Sequence, residues 1–200
     1  LDELEALERL WSISRSESGV EETIVRLERA EEIMQESSDV TGQKVMTDMI
    51  FVLSTMEPLK PTWIPFLQSM LNIRGQLGPE EYCALQKEYH CQEEEIQLEQ
   101  LLAYFIYVYC CTSVYDEMLL AKIKMAVTNT LLIREFWFMK WLENNKKLTV
   151  EDQAELAHWY VREIENSDEN MEQWDSLMQR NPRFSLKNLL VLLKEWRELS

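Results

Sequence analysis

The scarcity of turn-forming residues limits this chain more than any other feature. Only four glycines and five prolines occur in 200 residues. A sandwich or barrel of many short strands turns about every eight to twelve residues and draws on Gly and Pro to do so. That leaves little room for an all-β fold. Apolar residues recur instead at the three- and four-residue spacing of amphipathic helices. Hydrophobic residues make up 46% of the chain, enough for a real core, so disorder is not expected despite a net charge of −16. The expected fold is all-α: an irregular multi-helix bundle of about eight to ten helices.

The spacing places those helices. Leu4, Leu7, Leu10 and Trp11 mark a first stripe, and Ile24, Leu27, Ala30, Ile33 and Met34 a second. A turn over Asp39 to Gly42 precedes an apolar helix through Val45, Met46, Met49, Ile50, Val52 and Leu53. Thr62 is placed to cap a helix that carries Pro65 in its first turn, runs to about Arg74 and is ended by Gly75 and Gly78. Pro79 opens the next helix, with Glu80 and Glu81 complementing its dipole.

The segment from Leu98 to Val108 is apolar nearly all round and is expected to lie centrally. Thr112 or Asp116 then starts a long helix ending near Asn144-Asn145, with Leu119, Leu120, Ile123, Val127, Leu131, Leu132, Phe136 and Met139 buried. Thr149 and Asp152 form a capping-box pattern, Ser167 and Ser185 are further caps, and Pro182 stops the helix between them. The last buried stripe is Leu186, Leu189, Leu190, Leu193 and Trp196. No 34- or 40-residue repeat appears.

The charge is uneven. Residues 1–36 carry 11 acids and 4 bases, residues 80–99 carry 7 and 1, and residues 150–175 carry 9 and 1. Solvated helix faces account for such segments, and a docking surface for a basic partner is the functional alternative. An excess of 36 acidic over 20 basic residues disfavours nucleic acid as a partner. The longest uncharged stretch, Gln100 to Tyr115, falls short of the roughly 20 apolar residues of a membrane span. No signal peptide is seen, and Cys83, Cys91, Cys110 and Cys111 show no disulfide pattern. Buried reduced thiols in a cytoplasmic protein are expected. The chain starts at Leu1 without Met, which suggests a piece of a longer protein.

Enzyme-like patterns are sparse. Glu155 and His158 make a single Glu-x-x-His pair, but a di-iron bundle needs a second pair and two further carboxylates. Cys83, His90 and Cys91 lack zinc spacing and a fourth ligand, so no metal site is expected in the chain. Four scattered glycines build no phosphate loop or dinucleotide fingerprint. Aromatic runs at Tyr104, Phe105, Tyr107 and Tyr109, and at Phe136, Trp137, Phe138 and Trp141, suit a core. Three consecutive aromatics at 136–138 cannot all face one way, so some aromatic surface is expected to be half exposed or to meet a partner. Ion pairs and snorkelling over apolar surface are the expected roles of Lys122, Lys124 and Arg134.

Residues 98–193 carry more specific strings: Ser113-Val114-Tyr115-Asp116, Ile133-Arg134-Glu135, Glu151-Asp152-Gln153, and the run from Arg162 to Asn170. These resemble the C-terminal half of bacterial flagellin lysine-N-methylase family proteins. On that resemblance residues 98–200 are the family-like helical region and residues 1–97 a variable helical lead-in, the two forming one continuous helical domain. The resemblance implies methyl transfer to flagellin lysines by a larger enzyme, with S-adenosylmethionine as donor. It also implies a cysteine-rich part nearer the N-terminus, suited to a metal or iron–sulfur centre. No close cluster of cysteines occurs here, so the chain alone is expected to be inactive.

Methyl transfer needs a deprotonated amine held beside the donor and a carboxylate or tyrosine to orient it. Tyr104, Tyr107, Tyr115, Asp116, Glu163, Glu165 and Asp168 are of the right types, and Arg134 stands within a family-like string. The competing reading is a non-catalytic helical interaction module. Convergence of Tyr104–Asp116 with Glu163–Asp168 in a concave site favours catalysis, and a broad exposed apolar patch favours the module.

Overall fold

Apolar spacing, caps and the lack of turn residues resolve into eight α-helices and one 3-10 turn among the described residues, with no strand among them. The computed structural model describes residues 41–90, 92–111 and 118–197. The helices are α1 (Gly42–Leu53), α2 (Trp63–Gln76), α3 (Pro79–Tyr89), α4 (Gln92–Cys110), α5 (Leu119–Glu143), α6 (Val150–Glu165), α7 (Asp168–Arg180) and α8 (Leu186–Arg197). The 3-10 turn, Pro182–Phe184, joins the last two. The two stripes expected before residue 40 lie outside the described residues.

Local signals set most boundaries. Thr149 accepts from the Asp152 amide while the Asp152 carboxylate accepts from the Thr149 amide, so the expected capping box opens α6. Ser167 caps α7 through the Asn170 amide, and Ser185 caps α8 through the Asn188 amide. Pro79 sits in the first turn of α3. The long helix stops at Asn144, where Asn145 and Lys146 take left-handed φ of 55° and 63° and the Lys146 amide reaches back to the Trp141 carbonyl at 2.8 Å. The end of α2 differs from expectation. Gly75 lies inside the helix, which runs to Gln76, and nothing within 4 Å would oppose a side chain there. Thr62 occupies the N-cap position of α2 without making the side-chain bond.

The centre of the bundle also differs. It is α5, not α4, that lies inside: α5 packs against each of the other seven helices, and every residue from Thr128 to Met139 is buried. Phe136, Trp137 and Phe138 are therefore all buried, contrary to the expected half-exposed aromatic surface, because neighbours stand on every side of the helix. Phe136 meets Trp63, Phe66 and Tyr160; Phe138 meets Tyr82, Tyr89 and Trp141; Trp137 donates its indole N–H to the Gln153 carbonyl.

The first turns of α5 reverse the expected stripe. Ile123 is exposed, while Lys122 and Lys124 are buried. Lys122 pairs with Asp175 at 2.5 Å, and the Lys124 ammonium donates to the Met178 carbonyl, so α7 supplies partners that make these charges the better inward residues. Because α5 takes the centre, α4 packs its inner side on α5 and leaves Ile96, Tyr104, Ile106 and Tyr107 exposed. The thiols are not buried as expected: Cys83 and Cys111 are exposed and Cys110 half-buried, since they fall on the outer side of α3 and at the end of α4. Cys91 lies outside the described residues.

Candidate functional site at a carboxylate ending a buried network

Two polar networks cross the core around α5. The first joins five helices by charge. Arg74 of α2 and Glu135 of α5 form an ion pair with 1% and 2% side-chain exposure. Glu135 also accepts from the Tyr82 hydroxyl at 2.8 Å, and Arg74 donates to the Gln43 carbonyl and to Thr47 Oγ1. Beside them Arg134 donates to Gln86 Oε1 at 2.6 Å and its Nε lies 3.0 Å from Glu94 Oε1. His90 Nδ1 is 3.3 Å from Glu94 Oε2. Charges sealed this deeply are partnered, as burial requires. This network fastens α1 through α5 to one another.

The second network leads to the surface. Asn129 of α5 is its hub: Oδ1 accepts from the Tyr160 hydroxyl at 2.6 Å and from the Trp174 indole at 2.8 Å. Its amide donates to the Tyr109 hydroxyl at 2.9 Å. Tyr109 in turn donates to Glu165 Oε1 at 2.5 Å, and the Tyr104 hydroxyl lies 3.5 Å from Glu165 Oε2. Helices α4, α5, α6 and α7 thus meet on one chain of hydrogen bonds that ends at a half-buried carboxylate. Burial, then the Glu165 hydrogen bond and charge, push Tyr109 far above the ordinary tyrosine range, and burial does the same to Tyr160. Tyr104 is raised too, by burial first and then by the Glu165 charge. All three stay protonated donors at neutral pH, and each available proton on Tyr109 and Tyr160 is spent inside the network.

The structure distributes the expected site residues as follows. Tyr104 and Glu165 come together, and Tyr107 stands one turn along α4 from Tyr104, 75% exposed. Arg134 belongs to the first network and does not reach this cluster. Glu163 is buried and faces inward: it accepts from the Leu59 amide at 2.8 Å, the Lys60 amide at 3.4 Å and the Trp159 indole at 3.2 Å. It pins the Pro58–Pro61 connection to α6, a structural task. Asp168 is exposed in the first turn of α7. Tyr115 and Asp116 lie outside the described residues. Among the candidates, the Tyr104–Glu165 pairing is the one the geometry assembles. Asn129, Tyr109 and Tyr160, which support it, are not among the expected site residues, although Tyr109 stands in the aromatic run read from the sequence. An asparagine in the middle of an apolar helix was the available signal.

Glu155 and His158 are both exposed on α6. Among the described residues no group of three or more His, Cys, Asp or Glu could hold a metal ion. No helix among them is long and apolar enough to cross a membrane.

The fold and its buried networks define an all-α domain in which a half-buried carboxylate, Glu165, is held by the Tyr109 hydroxyl beside that of Tyr104. The sequence matches the family described as FliB lysine N-methylase C-terminal domain over residues 2–192, and the chain belongs to that family. The match takes in the part ahead of residue 98 as well as the strings that first suggested it. Comparison with curated proteins and with solved structures gave no significant match.

Proposed function

We propose that this chain is the helical C-terminal region of a bacterial, cytoplasmic enzyme that methylates flagellin lysines, and that it engages the protein substrate while the rest of the enzyme carries the methyl donor. The observation that carries this reading, beyond family membership, is the convergence of Tyr104 and Tyr109 with Glu165 from two helices at one surface point. That point lies within an acidic stretch, residues 150–175, with nine acids against one base. A surface of that sign draws lysine-rich partners by long-range attraction. S-adenosylmethionine supplies the methyl group in this reading. In the same reading a metal or iron–sulfur centre belongs to the cysteine-rich part of the enzyme.

The alternative is an interaction module whose parent performs no methyl transfer. The exposed Ile96, Ile106 and Tyr107 on α4 favour it, since apolar residues gathered on one helix face mark contact surfaces. Incubation of the full-length protein with labelled S-adenosylmethionine and flagellin separates the two. Label on flagellin lysines is the expected result, with none when this chain is used alone. A full-length preparation that transfers no label to any flagellin lysine leaves the module reading.

A further inference from the structure

We infer that the outer face of α4 is a docking surface for a basic amphipathic helix of a partner protein, with Ile96, Ala103 and Tyr107 as its apolar stripe and carboxylates along both edges. The inference goes beyond the methylase reading and does not depend on it.

Seven of the described side chains of α4 are exposed, and five of those are apolar or aromatic: Ile96, Ala103, Tyr104, Ile106 and Tyr107. A surface helix ordinarily turns polar residues outward, and a helix apolar on every side is ordinarily enclosed. Here α5 takes the enclosed place, so α4 keeps apolar side chains that the core of the described bundle does not use. At 3.6 residues per turn Ile96, Ala103 and Tyr107 fall in one narrow stripe, with Tyr104 at one edge and Ile106 at the other. Ile96 is 50% exposed and Tyr107 75%. The stripe runs about 16 Å, roughly three turns. That is the length over which a docked helix sets anchors at three- and four-residue spacing.

The charge beside the stripe selects the partner. From Gln92 to Cys110 the sequence holds four glutamates and neither lysine nor arginine. Glu99 is exposed and the Glu95 side chain is 44% exposed, both toward the Ile106 edge. At the Tyr104 edge α6 brings Glu165, held by the neutral hydroxyls of Tyr104 and Tyr109, which leave its charge in place. An apolar stripe between acidic edges is complementary to a helix whose apolar face is bordered by lysine or arginine. The aliphatic stems of those side chains can lie on Tyr104 and Ile106 while their heads reach the carboxylates. The same sign argues against other occupants. A second copy would set glutamate against glutamate, residues 1–36 bring 11 acids against 4 bases, and an anionic lipid surface is repelled.

The test uses the full chain and a capped peptide of about 14 residues, some four helical turns. Leucines at helical spacing form one face of the peptide and lysines fill the rest. One control keeps the leucines and replaces every lysine by glutamate, and the other scrambles the lysine peptide so that no apolar face remains. In amide chemical-shift titration the lysine peptide is expected to move the amides from Ile96 to Tyr107 and to bind at least tenfold more tightly than either control. Tyr107→Ser is expected to weaken that binding at least fivefold and Glu99→Lys about threefold. Both side chains are exposed, so both variants are expected to keep the parent's far-ultraviolet spectrum.

No binding, equal binding of either control, shifts confined to other helices, or an affinity that neither variant moves overturns the inference. So does sedimentation equilibrium in which the chain pairs with itself and Tyr107→Ser abolishes the pairing, since the occupant is then a second copy. Binding to phosphatidylglycerol vesicles that Tyr107→Ser abolishes overturns it too, in favour of a lipid surface. The methylation assay keeps its fate apart from that of the enzyme reading. Peptide docking without methyl transfer by the full-length protein removes the activity and leaves the docking surface. Methyl transfer without peptide docking removes the surface and leaves the activity.

Discussion

Arg74 and Glu135 show how a single residue can be indispensable without touching any ligand. Each is sealed from water and each supplies the charge the other needs. Arg74→Met is expected to cost about 3–5 kcal/mol in urea unfolding, because Glu135 is then buried without a counter-charge. The double variant Arg74→Met, Glu135→Leu is expected to recover most of that loss, since two apolar side chains of similar volume need no pairing. If the double variant is no more stable than the single, the charge pairing is not what holds this site. Sequence reasoning saw Arg74 only as the approach to a helix end, because its partner is 61 positions away. Asn129 was hidden for a related reason: its value depends on Tyr109, Tyr160 and Trp174 meeting at one atom group, and nothing in its neighbourhood along the chain announces that. Tyr104 and Glu165 were legible as chemical types, and their pairing was not.

Helices were more legible than contacts, since caps and stripes are local. The α6 capping box was readable from Thr149 and Asp152 alone and appears as read. Thr149→Ala is expected to destabilise the protein by about 1 kcal/mol at neutral pH, measured by thermal or urea unfolding. The hydrogen bonds from Thr149, its backbone first, hold the Asp152 carboxyl below its usual range. A carboxyl lowered on folding stabilises above its unfolded pKa of about 3.9 and loses that contribution as pH falls through the folded value. The gap between parent and Thr149→Ala should therefore be full at pH 7 and shrink below about pH 4. A gap that stays constant to pH 2 would show that the Thr149 hydroxyl does not hold the Asp152 carboxylate, since the alanine variant keeps the backbone bond. What stripes could not decide was which apolar helix lies inside. The segment from Leu98 to Val108 reads as apolar on all sides, yet α4 leaves Tyr104, Ile106 and Tyr107 to solvent. Which helix is enclosed depends on the neighbours it meets: α4 packs one side on α5, while α7 brings Asp175 and the Met178 carbonyl to the inward lysines of α5, pairings visible only in space.

At the scale of the described residues together, one helix in contact with the seven other helices among them makes for a strongly coupled unit. Amides from Thr128 to Trp141 are expected to exchange with solvent only through global unfolding, more slowly than those on the outer side of α3. Hydrogen exchange that finds α5 opening as readily as α3 would contradict that arrangement. The charge was legible as acidic segments, and its distribution in space turned out to matter more than its total. Glu163 serves the interior, Glu165 sits at the boundary, and Glu155 faces water.

Glu195 of α8 carries a consequence of another kind. Its carboxylate accepts from the Gly42 amide at 2.7 Å, across 153 positions, and a β-carbon on Gly42 would come within 2.1 Å of that carboxylate. The first described helix therefore receives its N-terminal counter-charge from the last. During synthesis α1 leaves the ribosome long before α8 exists, so its N-terminal amide waits unmatched while the 153 positions up to Glu195 are made, and this end of the bundle closes only after α8 has emerged.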